Sequence, residues 1–135
     1  PWANESELPG KKCYCGRTGC LETFISGPAI EREFKNLHGK HLNMKNIVKE
    51  SSAGNLKAEQ TIRKLEDRLA RALAHVINIL DPDSIVLGGG LSNIDRLYSN
   101  VPKIWAEYIF SDDVSTVLSK ARFGDSSGVR GAAWL

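Results

Sequence analysis

No apolar run in these 135 residues approaches the roughly 20 needed to cross a bilayer, so the segment excludes a membrane span. The opening PWANESELPG lacks the apolar stretch of a secretory signal. Clustered basic charge is missing as well. Eighteen Lys and Arg stand against 16 Asp and Glu, and in IEREFK and IRKLEDRLAR the signs alternate. That alternation is the pattern of a solvated helix face and argues against nucleic-acid binding. The chain has no repeats, no low-complexity tract, no G-x-G-x-x-G and no Walker loop. Cysteine is scarce: three in all, crowded into CYCGRTGC. An odd number of close thiols argues for reduced sulfur in the cytosol and against a disulfide framework. What is present is a composition of 41% apolar and 25% charged residues, enough for one domain with a core. The chain opens on Pro rather than Met, which reads as a processed or truncated piece.

Apolar spacing predicts mostly helices. Pro1 to Lys12 reads as a loop. A helical pattern starts at Cys20 and breaks at Gly27-Pro28; a second helix covers Ala29 to Leu37 and stops at Gly39. A short helix is expected over Met44 to Glu50, with a turn at Ser51 to Asn55. From Leu56, apolar residues recur at Ile62, Leu65, Leu69, Leu73, Val76 and Leu80, a long helix ended by Asp81-Pro82. Its second half, ALAHVINIL, is apolar nearly all round and is expected to run into the interior, with His75 as a core histidine. Ile85-Val86-Leu87 reads as a strand covered on both faces. Ser92 is a candidate cap for the next helix, which Pro102 must bend or restart. STVLSKARF is a second strand candidate, and GDSSGVRGAAWL a glycine turn feeding a last helix. A central parallel strand needs neighbours on both edges, and this inventory scarcely supplies them.

Three stretches carry candidate chemistry. Cys13, Cys15 and Cys20 form C-x-C-x4-C, and glycines between them let a short loop bring three thiolates around one ion. That spacing points to a structural zinc site; the alternative is three reduced thiols packed in a tight loop. His38, His41 and His75 are the local candidates for a fourth ligand, and none has a distinguishing spacing. Glu22 fits either a helix-start carboxylate, favoured by the helix dipole, or an acceptor for substrate hydroxyls. Gly88, Gly89 and Gly90, between a strand and a helix start, permit close approach of a ligand's phosphate or serve simply as a tight turn.

Together, CYCGRTGCLET, PDSIVLGGGLSN and GDSSGVRGAAWL resemble the carboxy-terminal half of the ROK family, which contains bacterial sugar kinases and related repressors. The ETFISG continuation looks most like the fructokinase (manno(fructo)kinase) branch. The resemblance implies an α/β fold: the second lobe of an actin-like, ribonuclease-H-like ATPase fold, as a helix-rich fragment with few strands. Residues 1–22 would form the zinc-binding loop and 23–135 the helices around a partial parallel sheet. It implies zinc thiolates at Cys13, Cys15 and Cys20, sugar contact at Glu22, and nucleotide contact at Gly88, Gly89, Gly90, Ser92 and Asn93.

The departures from the family pattern are equally informative. The D-x-G-G-T phosphate loop, the Asp general base and the E-x-G-H motif, whose His supplies the fourth zinc ligand, do not occur in these residues. The resemblance therefore implies a fragment without catalytic residues of its own, inactive alone. Its parent would be a cytoplasmic kinase that uses ATP and Mg2+ to phosphorylate the 6-hydroxyl of a hexose, fructose being the sugar indicated. Family members are often dimers, which leaves a homodimer open. Two other readings stand beside it: the sugar-sensing lobe of a ROK repressor, and a self-standing zinc-binding interaction module.

Overall fold

The computed structural model describes residues 3–134, the side chain of Asp125 excepted. The expected loop start at Pro1 and Trp2 and the final Leu135 lie outside the described residues. The chain divides into two compact units, 1–72 and 73–135.

The first unit holds a 3-10 turn at Glu5–Glu7, α1 (Glu22–Ile25), α2 (Gly27–His38), α3 (Met44–Ser52) and most of α4 (Leu56–Leu80). Each boundary has a local cause. The helix break expected at Gly27-Pro28 is present, with Ser26 extended between α1 and α2; Gly27 and Pro28 themselves form the first turn of α2, where an N–H has no intrahelical acceptor and proline loses nothing. Ser26 Oγ accepts from the Ala29 N–H at 3.3 Å and caps it. Gly39, at φ 70, closes α2, its N–H donating to Lys35 O at 2.8 Å. Asn43 Oδ1 caps α3 through the Asn46 N–H, and Asn55 Oδ1 accepts from Lys57 and Ala58 at the start of α4. The Met44 N–H donates to Glu31 Oε1 at 2.7 Å, tying α3 to α2. Phe24, Ile30, Phe34, Ile47, Ile62 and Leu65 are buried in this unit.

The second unit begins within α4 and continues through β1 (Ser84–Leu87), a 3-10 turn at Gly90–Asn93, α5 (Arg96–Trp105), β2 (Val117–Lys120), a 3-10 turn at Gly124–Ser126 and α6 (Ser127–Ala132). Asp81, at φ 42, ends α4 immediately before Pro82. β1 and β2 are parallel, with Ser84 opposite Val117 and Leu87 opposite Lys120. Thr116 Oγ1 donates to Pro82 O at 2.7 Å and holds that register. Leu97, Val101, Trp105 and Leu118 are buried.

The structure departs from several expectations. β1 is not covered on both faces: Val86 is 60% exposed, because among the described residues the sheet has only two strands. The apolar end of α4 does not bury itself, as Ile79 and Leu80 are exposed, and so is His75, which is not a core histidine. Ser92 caps no helix. It lies inside the 3-10 turn, and α5 starts four residues later. α5 runs through Pro102 without restarting, although the absent N–H leaves the Tyr98 carbonyl without its helical donor. No described helix is long and apolar enough to cross a membrane.

Candidate functional site

The cysteine motif folds as a miniature hairpin. Lys12 and Thr18 form an antiparallel bridge, the Cys13 N–H donates to Arg17 O at 2.8 Å, and the Gly16 N–H returns to Cys13 O at 3.0 Å. Gly16 turns at φ 86. This brings the Sγ atoms of Cys13, Cys15 and Cys20 within 4.8 Å of one another, with Cys15 and Cys20 3.5 Å apart. A tetrahedral zinc with Zn–S bonds of about 2.3 Å sets its sulfurs ~3.8 Å apart, so the cluster fits such an ion. Cys13 is buried, Cys20 half-buried and Cys15 exposed. None of His38, His41 and His75 joins the sulfurs. Among the described residues the cluster holds these three cysteines and no fourth donor. His38 instead sits edge-on to Phe34 at 4.7 Å.

Crowding makes the thiols unequal. A backbone hydrogen bond from Arg17, then those from Cys20 and Cys13, hold the Cys15 thiol below its ordinary range. Cys20, hydrogen-bonded to Cys15 and then to Cys13, is pushed up to about 11. Three sulfurs this close resist becoming thiolates together unless a cation neutralises them, which is what a divalent metal does.

Glu22 follows the last cysteine by two residues. It opens α1, whose start is fixed by Thr23, its N–H and hydroxyl both donating to Cys20 O at 2.9 and 2.7 Å. Its exposed carboxylate lines a cavity of about 330 Å³ shared with Cys13, Tyr14, Lys11, Lys12 and Arg32. The hairpin and Glu22 thus face one space. Sequence reasoning does not single out the cations there, since isolated lysines before a cysteine carry no signal of their own.

The charge cluster that braces the hairpin is equally hidden in the sequence. IRKLEDRLAR, expected to be a solvated face, buries Arg68 and Arg71 at 3% exposure each. Arg68 donates to Glu7 Oε1 at 2.6 Å, to Glu33 Oε2 at 2.7 Å and to the Phe24 carbonyl at 3.4 Å, with its guanidinium over the Phe24 ring. Arg71 pairs with Glu7 at 3.0 Å and Asp67 at 2.9 Å, and Lys64 with Glu33 at 2.6 Å. One arginine therefore ties α4 to segments on both sides of the cysteine loop. Burial pushes Glu33 up, but the hydrogen bonds and charges of Arg68 and Lys64 outweigh it and hold the carboxyl at about 2. Glu7 is likewise lowered, burial being overcome by Arg68 and the Asn4 N–H.

A depressed carboxyl stabilises the fold at every pH above its ordinary value near 4.5, and the contribution is lost as pH falls through about 2. The Glu33 shift corresponds to something on the order of 3 kcal/mol. The urea midpoint is therefore expected to fall between pH 5 and pH 2 (about the span of the shift). In Glu33→Gln the same titration should be distinctly flatter.

Close backbone approach fixes the entry to the hairpin. A Cβ at Gly10 would lie 2.5 Å from Gly19 Cα, and Gly10 sits at φ 84. Gly10→Ala is expected to displace this crossing and destabilise the unit by about 2 kcal/mol or more, read from urea denaturation.

In the second unit, Gly88 to Gly90 follow β1. A Cβ built on any of the three meets nothing within 4 Å, and only Gly89, at φ 74, needs to be glycine for its backbone. The turn is open on its outer side. Ser92 is fully buried, donating to Gly89 O at 2.7 Å while its own carbonyl accepts from Tyr98 Oη at 2.8 Å, so it braces the turn from inside. Asn93 is exposed.

A helix-rich α/β chain with a short parallel sheet corresponds to part of one lobe of the actin-like, ribonuclease-H-like ATPase fold. Among solved structures, the ROK hexokinase of Thermus thermophilus superposes with a TM-score of 0.78 at 28% identity, covering 92% of this chain and 42% of that one. A ROK family transcriptional regulator, a homolog of the E. coli MLC protein, superposes at 0.77 with 26% identity, covering 93% and 35%. The N-acetyl-D-glucosamine kinase of Mannheimia succiniciproducens is 40% identical over 129 residues, 96% of this chain and 42% of that protein. The ROK family signature matches residues 5–135. The chain belongs to the ROK family, and it spans less than half the length of the curated relatives it matches.

Proposed function

We propose that these residues are the carboxy-terminal lobe of an ATP-dependent sugar kinase, with Cys13, Cys15 and Cys20 holding a structural zinc. The observation that carries this is the convergence of three sulfurs on a hairpin whose next helix presents Glu22 into the cavity that Cys13 also lines. Glu22 would accept hydrogen bonds from sugar hydroxyls. The open glycine turn at Gly88 to Gly90, with Ser92 and Asn93, would flank the nucleotide; Ser92 would act by holding the turn's shape, since its hydroxyl is already bonded. Zinc, when bound, supplies rigidity to the loop and takes no part in the transfer. Phosphoryl transfer is mostly positioning and charge stabilisation. The base, the phosphate loop and the fourth zinc ligand would come from sequence outside this chain, and the exposed two-stranded sheet supports that reading. A cytosolic setting suits three reduced thiols.

The sugar favoured is N-acetyl-D-glucosamine, supported by the kinases named for it among the relatives. Fructose, indicated by the ETFISG continuation, is the second candidate. The test is ADP release by the full-length parent with each sugar, beside its Glu22→Gln variant. Turnover with either sugar is expected, with Glu22→Gln raising the sugar KM by about 10-fold or more, the cost of a lost charged hydrogen bond. The isolated chain should release no ADP. Sugar binding by the parent without turnover would favour the repressor reading, to which the second superposed structure corresponds.

A further inference from the structure

The glycine turn issues from the carboxyl ends of two parallel strands. Leu87 lies opposite Lys120, so β1 and β2 finish at the same edge. That edge is where open α/β sheets take their ligands. The turn's outer side is clear, since a Cβ on Gly88, Gly89 or Gly90 meets nothing within 4 Å. A run of three glycines has no side chains to hold its shape, and glycine has the most conformational freedom to lose. The shape is held from inside instead. The Ser92 N–H and hydroxyl both donate to Gly89 O, at 3.1 and 2.7 Å, and Gly89 is the residue at φ 74. Ser92 is tied in turn through its carbonyl, which accepts from Tyr98 Oη at 2.8 Å. Tyr98 stands half-buried on α5, a helix anchored by the burial of Leu97, Val101 and Trp105. Burial raises the phenol above its ordinary range, with Lys120 opposing and Asp95 adding to the rise, so at neutral pH it is a protonated donor.

We propose that Tyr98 is a positioning residue for the nucleotide: its hydroxyl, acting through Ser92, holds the turn at 88–90 in the shape that receives ATP. The role rests on the reading of this turn as the nucleotide's neighbour. Tyr98 acts through Ser92 and not by touching the ligand. A turn already shaped meets ATP without first being ordered, and that ordering cost no longer comes off the affinity. Without the phenol oxygen, the Ser92 carbonyl loses this bond to α5 and the turn samples more conformations. Only a fraction of them then accept the nucleotide, and the apparent affinity falls by that fraction.

The test compares the full-length parent with its Tyr98→Phe variant, which keeps the ring and removes one oxygen. ATP is titrated against hydrogen–deuterium exchange of the backbone at 88–93, which reads nucleotide affinity without requiring turnover. In wild type, ATP should slow exchange there. Tyr98→Phe should weaken ATP by about 3- to 10-fold, the range of a single hydrogen bond. Its exchange at 88–93 without ATP should quicken, while exchange over 99–105 of α5 stays as in wild type. In ADP release, the ATP KM should rise to the same extent, with kcat and the sugar KM within about 2-fold of wild type. Equal ATP affinity in the two proteins, with the wild-type turn protected, would overturn the role of Tyr98 and leave the nucleotide reading standing. No protection of the wild-type turn by ATP would sink both. Faster exchange over 99–105, or an equal rise in the sugar KM, would also overturn the role, because the substitution has then merely loosened the fold.

Discussion

Arg68→Met lowers the unfolding free energy by about 3–5 kcal/mol, the cost of removing one partner from a buried charge pair. The size follows from what is left behind. Glu7, whose side chain is 5% exposed, keeps only Arg71 of its two arginines. Glu33 keeps Lys64 at 2.6 Å and a distant Lys11 at 3.8 Å. Urea unfolding of the purified variant measures the loss. A triple variant, Arg68→Met with Glu7→Gln and Glu33→Gln, separates lost attraction from stranded charge. If stranded charge dominates, the triple variant recovers a substantial part of the deficit. If the triple is as unstable as the single, the cost lies in the packing of the guanidinium over Phe24 instead.

If the three sulfurs hold zinc as proposed, replacing Cys20 by Ser is expected to remove tight binding of the ion. The wild-type hairpin offers three sulfurs within one coordination sphere, and a hydroxyl in place of one is a poor donor to zinc at neutral pH. Loss of a ligand should exceed the roughly 100-fold that loss of an outer hydrogen-bond partner costs in affinity. Competition against a chromophoric chelator reads it directly. Zinc affinity should also weaken as pH falls, because each coordinating thiol must lose its proton. If Cys20→Ser retains zinc at wild-type affinity, the three-thiolate site is not where the ion sits.

Much of this is legible from the residues because its causes are local. The α2 stop at Gly39 and the end of α4 at Asp81-Pro82 depend on one or two residues and their backbone freedom. The cysteine hairpin is legible for the same reason: its three sulfurs lie within eight consecutive positions, and its glycines allow the turn. Legibility ends where a neighbour decides the outcome. Gly27-Pro28 marks the break between α1 and α2, but only the Ser26 cap shows that both residues already belong to the first turn of α2. Ile79, Leu80 and Val86 have the character of buried residues, yet apolar character alone does not supply the surface that would cover them.

By itself, then, the sequence determined the helix-rich α/β character, the position of the long helix, the sulfur cluster and the family whose motifs these are. Only the tertiary structure decided which charges are structural. Alternating signs in IRKLEDRLAR look the same whether water or protein surrounds them. Arg68 is a buried tie because Glu7, 61 positions away, and Glu33, 35 positions away, converge on it. Periodicity reports the faces of one helix; the dielectric around a charge is set by what packs against it, and that is a property of the folded chain.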